Sequence, residues 1–170
     1  MEVQQAVRLK RAVRNFSTNS LPEDVSLAIL NAGRRAQSSK NTQPWQFIAI
    51  TDKAILKQLS GCGEWAGHLA GAALGIAIIH PDPSEHFQIL FDIGQAAAYM
   101  QLLAWELGVG SCMATIYDLK KARQALGFPD DLTISFAISF GYPADTGQIS
   151  NPPRKGGRKE LNEIIHWNRW

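Results

Sequence analysis

Three cations lie close together near the start of the chain. Lys10, Arg11 and Arg14 fall within five residues, where a predicted helix gives way to a turn. The planar fork of an arginine donates two parallel hydrogen bonds to a phosphate, so this cluster indicates a possible anion site. Taken alone, a solvated basic helix end, stabilised by the helix dipole, is the more ordinary interpretation.

A polar loop follows the second predicted helix. Six consecutive polar side chains, from Ser38 to Gln43, precede Pro44 and a run of strand formers. Hydroxyls and amides such as those of Ser39 and Asn41 can bond a polyol chain or the edge of a heterocycle without adding charge. An ordinary capped loop is equally compatible with the composition, because Ser, Asn, Thr and Pro are common in loops.

A second basic segment lies near the C-terminus, at 152–159. It contains Arg154, Lys155, Arg158 and Lys159, together with two glycines that permit close approach of the backbone to an anion. A basic surface tail is the simpler interpretation of this segment by itself. With the N-terminal cluster, it gives the chain two separate sources of positive charge for one ligand.

Length and composition favour a single domain over residues 1–170. Apolar residues make up 45% and charged residues 19%, which is enough for a sizeable core. The net charge of +2 is too small to indicate binding to nucleic acid or to a membrane. The N-terminus lacks a secretory signal, and the most apolar stretch, 69–79, is too short to span a bilayer as a helix. We therefore predict a soluble, cytoplasmic protein.

Several chemistries lack their usual motifs in this sequence. No GxGxxG motif follows a strand and no Walker A loop occurs, so neither type of nucleotide site is indicated. The four histidines form no HExxH motif. Cys62 and Cys112 have no metal-type spacing and are predicted to be reduced and buried. The sequence thus predicts no metal and no protein nucleophile.

Hydrophobic periodicity predicts a mixture of helices and strands. Residues 145–157 are predicted to form an extended arm. Strands and helices do not alternate regularly, so an α+β layer architecture fits the order better than a doubly wound sheet. The predicted helices cover residues 3–10, 21–35, 51–59, 64–70, 87–107, 119–126 and 158–167, and the predicted strands cover 45–50, 73–79, 111–116 and 132–140.

The segment 87–107 is the longest periodic element, and it is apolar almost all round with small residues along one side. Such a helix lies at the centre of a structure, and its small residues suit a contact with a second subunit. Trp167 and Trp170 are predicted to dock onto that partner, because an exposed aromatic tail marks an interaction site. The sequence therefore predicts a homodimer.

Motifs along the chain resemble those of the nitroreductase family of FMN-dependent oxidoreductases. The segment 10–16, Lys-Arg-Ala-Val-Arg-Asn-Phe, is similar to the family's Arg-Arg-Ser-x-Arg-x-Phe signature. The segment 36–45, Ala-Gln-Ser-Ser-Lys-Asn-Thr-Gln-Pro-Trp, resembles its Ala-Pro-Ser-Ser-x-Asn-x-Gln-Pro-Trp motif and is the most specific match. The segment 92–112 resembles the family's central dimer helix and the strand after it. The segment 140–144 and the basic segment around Arg158 resemble the family's closing motifs.

The resemblance implies a three-layer α+β fold, in which a central mixed or antiparallel sheet is flanked by helices. It also implies an intertwined homodimer whose C-terminal arm, at about 145–170, extends over the partner. The residues implied to bind FMN are cations around its phosphate and ribityl end, polar residues that reach it from the other subunit, and a pair beside its ring. The cations are Lys10, Arg11, Arg14 and Arg158. The polar residues from the other subunit are Ser38, Ser39 and Asn41, and the pair beside the ring is Thr115 and Ile116.

The activity implied by the resemblance is transfer of two electrons from NADH or NADPH to FMN, and then to a small acceptor such as a nitroaromatic or a quinone. The flavin performs the redox step, while the protein positions it and places hydrogen-bond donors near its ring. Two alternatives stay open. One is another reaction on the same fold, such as reductive dehalogenation or flavin fragmentation, and the other is a flavin-binding or storage module.

The sequence departs from the family pattern at several positions. Ala12 replaces the signature serine, and Gln37 stands where proline is usual. Thr115 and Ile116 occupy a stretch where the family commonly has two glycines near the flavin ring. We expect Ile116 to crowd the ring or to change which backbone N–H serves its N5 atom. Little sequence lies between residues 74 and 92, where larger members insert lid helices, so we expect an open site.

Overall fold

The computed structural model describes residues 1–150 and 157–170. Its α-helices are α1 (Val3–Leu9), α2 (Glu23–Arg34), α3 (Lys53–Ser60), α4 (Gln88–Glu106), α5 (Leu119–Leu126), α6 (Gly147–Ser150) and α7 (Leu161–Ile164). Its strands are β1 (Gln46–Ile50), β2 (Leu74–Pro81), β3 (Gly110–Thr115) and β4 (Leu132–Gly141). Two 3₁₀ helices also occur in the described part of the chain, Ser39–Asn41 and Ala66–Gly71.

The predicted elements are present, and the largest differences lie near the C-terminus. The predicted arm is not extended throughout, because the Asp145 carboxylate accepts a hydrogen bond from the Gly147 amide at 2.9 Å and starts α6. Residues 151–156, with Arg154 and Lys155, lie outside the described residues. The last predicted helix, 158–167, is reduced to α7. None of the described helices has the length and apolar character needed to cross a bilayer.

The four strands form one antiparallel sheet in the order β1-β2-β4-β3. The central strand β2 is buried from Leu74 to His80, as its apolar sequence predicts. Strand β3 is at the edge, where a parallel bridge joins Ala12 to Ser111. The predicted α+β fold with a central sheet is confirmed, and the position of β3 leaves one side of this strand available to other groups.

Helices cover both faces of the sheet, as the three-layer prediction requires. On one face α2 and α4 pack against Ile76 and Phe140, and on the other α3, α5 and the second 3₁₀ helix pack against Ala137. Ile76 and Phe140 are fully buried, and each such side chain contributes roughly 1.5–3 kcal/mol. A Cβ on Gly33 of α2 would lie 2.9 Å from Met100 Cγ of α4, so this glycine allows the two helices to approach closely.

One face of α4 is not covered by the described part of the chain. Phe87, which precedes the helix, and Phe91 are each 73% exposed. Outside the helix itself, no described atom lies within 4 Å of the Cβ position of Gly94, one turn further on. These residues are spaced by three and four, so they lie on one helical face. The face has the mixture of large and small apolar residues expected of a subunit contact, and that contact stays a prediction.

The described C-terminal segment, 157–170, is exposed along its whole length. Trp167 is 82% exposed, and Trp170 is 99% exposed with its ring stacked on His166 at 4.1 Å. These side chains therefore bury almost none of their surface against their own subunit. The predicted docking of this tail on a partner remains a prediction.

Candidate ligand-binding groove

An open groove of about 820 Å³ runs along the exposed side of β3. Its volume falls within the range of roughly 300–1,000 Å³ that is typical of small-molecule sites. The segment 14–16 forms one wall, the region from Glu64 to Gly71 forms the other, and β3 contributes the base. The described lining residues are Arg14, Asn15, Phe16, Glu64, Trp65, Gly67, His68, Gly71, Cys112 and Met113.

The first wall is fixed to the edge of the sheet by backbone contacts. The Val13 N–H donates to the Ser111 carbonyl at 2.9 Å. A Cβ on Gly110 would lie 2.6 Å from Val13 Cβ, which real Cβ atoms avoid, so only glycine lets this segment lie so close. Val13 is 1% exposed. Because Val13 faces inward, the next residue, Arg14, lies exposed at the groove.

The three N-terminal cations have different positions. Arg14 lines the groove, whereas Lys10 is half-buried and its Nζ donates to Gln101 Oε1 at 2.9 Å. Burial lowers the pKa of Lys10. Arg11 lies against α4 and α6: its Nε donates to the Gln148 carbonyl at 2.6 Å, and its guanidinium carbon is 5.7 Å from the centre of the Trp105 ring. The cluster therefore places one of its cations directly in the groove.

The backbone of β3 offers hydrogen-bond donors to the groove. Residues of an antiparallel strand point their N–H groups alternately toward and away from the partner strand. The Ile116 N–H donates to the carbonyl of Ser135 in β4 at 3.0 Å. The register then directs the N–H groups of Met113 and Thr115 away from β4, toward the open edge.

Ile116 does not crowd the groove. Its side chain is 6% exposed and belongs to the core that also contains Ala114. The expectation of crowding is wrong because strand alternation turns this β-branched side chain into the protein. The other expectation, a change in which backbone N–H serves the flavin N5 atom, stays a prediction. In the structure the Ile116 N–H is bonded to Ser135, and the register turns the Thr115 N–H away from β4.

The second wall consists largely of glycines and one exposed aromatic residue. A Cβ on Gly63 would lie 2.1 Å from the Thr115 carbonyl oxygen, so this position requires glycine. No atom lies within 4 Å of the Cβ positions of Gly67 and Gly71, which leaves the backbone bare toward the groove. Trp65 is 77% exposed at its rim. The sequence analysis missed this wall, although the glycines at 61–71 were a usable signal.

His68 and Cys112 form the least exposed part of the groove lining. His68 Nδ1 lies 2.7 Å from Ser139 Oγ, and Ser139 Oγ donates to the Cys112 carbonyl at 3.2 Å. Burial, and then the charge of Arg14, lowers the pKa of His68. Burial raises the pKa of the Cys112 thiol, and Arg14 and Lys10 oppose this effect. The described groove therefore holds a neutral histidine and a neutral thiol at physiological pH.

The polar loop at 38–43 is anchored from α4. The Ser39 N–H lies 3.1 Å from both carboxylate oxygens of Asp92, which is 4% exposed. The Ser38 hydroxyl accepts from the Gln43 N–H at 2.9 Å. Sequence reasoning did not identify Asp92 as the anchor, because its partner lies 53 residues away in the chain.

The conformation of this loop is unusual. Lys40, Asn41 and Gln43 have φ values of 50°, 56° and 49°, in the left-handed region that disfavours residues with a Cβ. Such strain is often concentrated at functional sites. Ser39 and Asn41 are exposed and do not line the groove of their own subunit. Their predicted contact with a ligand bound to the other subunit stays a prediction.

The last predicted site residue, Arg158, is exposed in the C-terminal segment. No residue of 157–170 lines the groove in the part of the chain that the structure describes. The structure thus brings Arg14 and the strand edge together, with Lys10 behind them. It leaves Arg11, Arg158 and the polar loop outside the groove of a single subunit.

The structure defines a three-layer α+β protein with an open groove between an edge strand, the segment 14–16 and the second 3₁₀ helix. The chain belongs to the nitroreductase family, whose profile matches residues 7–62 and 63–142. The family recognised from the motifs at 10–16 and 36–45 is therefore confirmed.

Individual relatives support the same assignment. A protein of Archaeoglobus fulgidus with the provisional name NADH dehydrogenase/NAD(P)H nitroreductase is 28% identical over 151 residues, which cover 85% of this chain and 87% of that protein. An FMN-dependent nitroreductase from Clostridium difficile has a solved structure with a TM-score of 0.85 and 28% identity, covering 98% of this chain and 99% of its own. Iodotyrosine deiodinase of Thermotoga neapolitana is 21% identical over 183 residues, which cover 94% of each chain.

Proposed function

We propose that this chain is an FMN-dependent oxidoreductase that takes two electrons from NADH or NADPH and passes them to a small acceptor, such as a nitroaromatic or a quinone. The observation that carries the proposal is the groove itself, in which the Arg14 cation lies along a strand edge whose Met113 N–H points outward. The names of the Archaeoglobus and Clostridium relatives agree with this activity.

The residues of the groove fit FMN. Its phosphate is anionic and its ring carries several hydrogen-bond acceptors, which match a guanidinium and the backbone donors of β3. The bare backbone at Gly67 and Gly71 leaves room for a flat ring. When bound, FMN supplies two-electron redox chemistry. The N–H of Thr115 would then hold the ring edge, and Arg14 would stabilise negative charge on the cofactor.

We place the remaining cations at the phosphate end of the cofactor. Lys10 lies close enough to the Cys112 thiol to influence its pKa, which supports a position behind the groove. Arg11 binds the carbonyl of Gln148 at the start of the segment that leads to Arg158. In this proposal Arg11 contributes positive charge and also positions the C-terminal segment that carries Arg158.

The complete site, in this proposal, forms in a homodimer. The exposed face of α4 at Phe87 and Phe91 supplies the contact between subunits. The strained loop would then present Ser38, Ser39 and Asn41 to the partner's flavin. The exposed C-terminal arm, 145–170, would extend over the partner and bury its tryptophans there.

A purified sample tests the cofactor directly. We expect FMN to bind with one equivalent per subunit, and NADH or NADPH to bleach its visible absorption under anaerobic conditions. Arg14→Ala should weaken FMN binding by about 10- to 100-fold, since charge-assisted hydrogen bonds contribute roughly 1.5–3 kcal/mol. Lys57→Ala, which removes an exposed cation from α3 outside the groove, should have no effect. A protein that ignores added FMN would contradict the proposal.

The deiodinase relative favours reductive dehalogenation as a second candidate function. In this second candidate function the chain would use the same groove for its cofactor, and only the acceptor would differ. Turnover with nitroaromatics and quinones supports the first function, whereas turnover with halogenated phenols alone supports the second. Tight FMN binding with no reduction by either nicotinamide would instead identify a flavin-binding or storage module.

A further inference from the structure

His68 presents a nitrogen to which no described residue forms a hydrogen bond. The residue lies in the second 3₁₀ helix and lines the groove. Its Nε2 atom is buried and has no hydrogen-bond partner among the described residues. A buried polar atom without a partner is costly, and nearly all such atoms in folded proteins have one. The orphaned nitrogen therefore indicates a partner from outside the described chain.

The hydrogen bonds around His68 define the role of this nitrogen. The Ser139 hydroxyl has one proton, and it donates to the Cys112 carbonyl at 3.2 Å. With the hydroxyl proton directed to Cys112, the same oxygen accepts the proton of His68 Nδ1, which lies 2.7 Å away. A neutral imidazole carries one proton, so Nε2 keeps a free lone pair in this tautomer. In this tautomer the nitrogen that lacks a partner is an acceptor.

The charged and titratable groups around His68 keep this ring neutral. Arg14 faces it from the first wall and disfavours a second cation. Cys112 lies on β3 next to Ser139 and remains a neutral thiol, because burial raises its pKa. Glu64, near the start of the second wall, is exposed at the groove. A neutral donor is therefore the complementary partner for Nε2.

We propose that His68 is a binding residue for the flavin, and that its Nε2 accepts a hydrogen bond from a neutral donor of the ligand. A flavin offers two such donors, the hydroxyls of the ribityl chain and the imide N–H of the ring. This inference rests on the proposed function, because it takes the ligand to be a flavin. Nε2 is buried in the ligand-free chain, so in this proposal the wall shifts when the ligand binds; the Cβ positions of Gly67 and Gly71 meet no described neighbour within 4 Å.

Two substitutions separate binding from folding. His68→Leu removes the acceptor, and His68→Gln retains an amide oxygen that can accept. Titration of FMN and riboflavin, followed by quenching of flavin fluorescence, should show about tenfold weaker binding to the Leu variant, and binding within about threefold of the wild type for the Gln variant. Gln58→Leu, at an exposed position on α3, is the matched control and should bind as the wild type does.

Thermal unfolding of the ligand-free variants provides a second measurement. The Leu variant loses a buried nitrogen that has no partner and also the hydrogen bond between Nδ1 and Ser139. These two changes have opposite effects on stability, so its melting temperature should stay close to that of the wild type. Weaker flavin binding without a loss of stability would support a ligand-binding role. A Leu variant that binds flavin as tightly as the wild type would overturn the inference, and so would a Gln variant that binds as weakly as Leu.

A pH series tests the acceptor role. Riboflavin is the probe, because it lacks a phosphate that titrates. Its affinity for the wild type should fall as the pH decreases from 8 to 5, since protonation removes the Nε2 lone pair, while its affinity for His68→Gln should stay constant. Tighter binding of riboflavin at low pH would mean that Nε2 acts as a donor, and would overturn the inference.

Lumiflavin, which lacks the ribityl chain, identifies the donor. If His68→Leu weakens lumiflavin binding, the ring imide is the partner, and if it weakens only FMN and riboflavin binding, a ribityl hydroxyl is. Both results support the inference. A wild-type protein that binds no flavin would refute the proposed function together with it, whereas normal wild-type binding with no effect at residue 68 refutes the role of His68 alone.

Discussion

Replacement of Asp92 by alanine should release the polar loop at 38–43. Both carboxylate oxygens of this buried residue lie 3.1 Å from the Ser39 N–H. A hydrogen bond to a charged group contributes roughly 1.5–3 kcal/mol. For a domain of this size, 1 kcal/mol corresponds to about 2–4 °C, so we expect the melting temperature to fall by roughly 3–12 °C.

The loop should then change its conformation, because its own backbone opposes the present one. Lys40, Asn41 and Gln43 adopt left-handed φ values, each of which costs about 1 kcal/mol or more. Their sum, on the order of 3 kcal/mol, matches what the Asp92 contact supplies. Without that contact, the loop keeps the hydrogen bond from the Gln43 N–H to the Ser38 hydroxyl and the longer one from Gln43 Nε2 to the Asn41 carbonyl, and the strained turn should relax.

Hydrogen exchange and flavin titration distinguish this local release from general destabilisation. In Asp92→Ala, the Ser39 amide should exchange faster and FMN should bind more weakly, because the loop is proposed to complete the partner's site. Asp52→Ala is the matched control: the Asp52 carboxylate likewise accepts hydrogen bonds from the backbone, from the Ala54 and Ile55 amides, but at the start of α3. It should lower stability without changing exchange at Ser39. Unchanged exchange at Ser39 in Asp92→Ala would refute the reasoning.

Three further predictions follow from the structure. Gly110→Ala places a Cβ 2.6 Å from Val13 Cβ, so it should displace the first wall and lower the free energy of unfolding by roughly 1–3 kcal/mol. It should also weaken flavin binding, and a flavin titration identical to that of the wild type would contradict this. The free energy of unfolding should fall as the pH decreases below about 6.5, because burial lowers the pKa of His80 in the folded chain below its ordinary value of 6.5; His80→Gln should flatten this dependence in thermal melts. Phe91→Glu should yield monomers in light scattering, whereas Tyr117→Glu, at another exposed aromatic residue, should leave the oligomeric state unchanged.

The elements of the fold were largely predictable because their periodicities are strong. The segment 87–107 repeats apolar residues at helical spacing, and 132–140 alternates at strand spacing. The order of the strands was not predictable in the same way. Strand β2 lies between β1 and β4 because of long-range pairing, and local periodicity carries no information about such pairing.

The candidate site was predictable in its residue types and less so in its geometry. Arg11 and Arg14 lie in an irregular segment with no fixed period, so the sequence could not indicate that Arg14 faces the groove while Arg11 packs on Trp105. The orientation of Ile116 depends on its register with Ser135, which is a tertiary property. The wall at His68 was missed because its polar partner, Ser139, lies 71 residues away.

The open side of β3 also has a consequence for association in solution. Outward N–H groups on an edge strand are a template for another strand, and proteins usually protect such edges against aggregation. The bridge at Ala12 protects one end of β3, while the amides of Met113, which lines the groove, and Thr115 point away from β4. A bound ligand that occupies these amides would prevent another strand from pairing with β3. We therefore expect the ligand-free form to self-associate more readily than the form with bound cofactor.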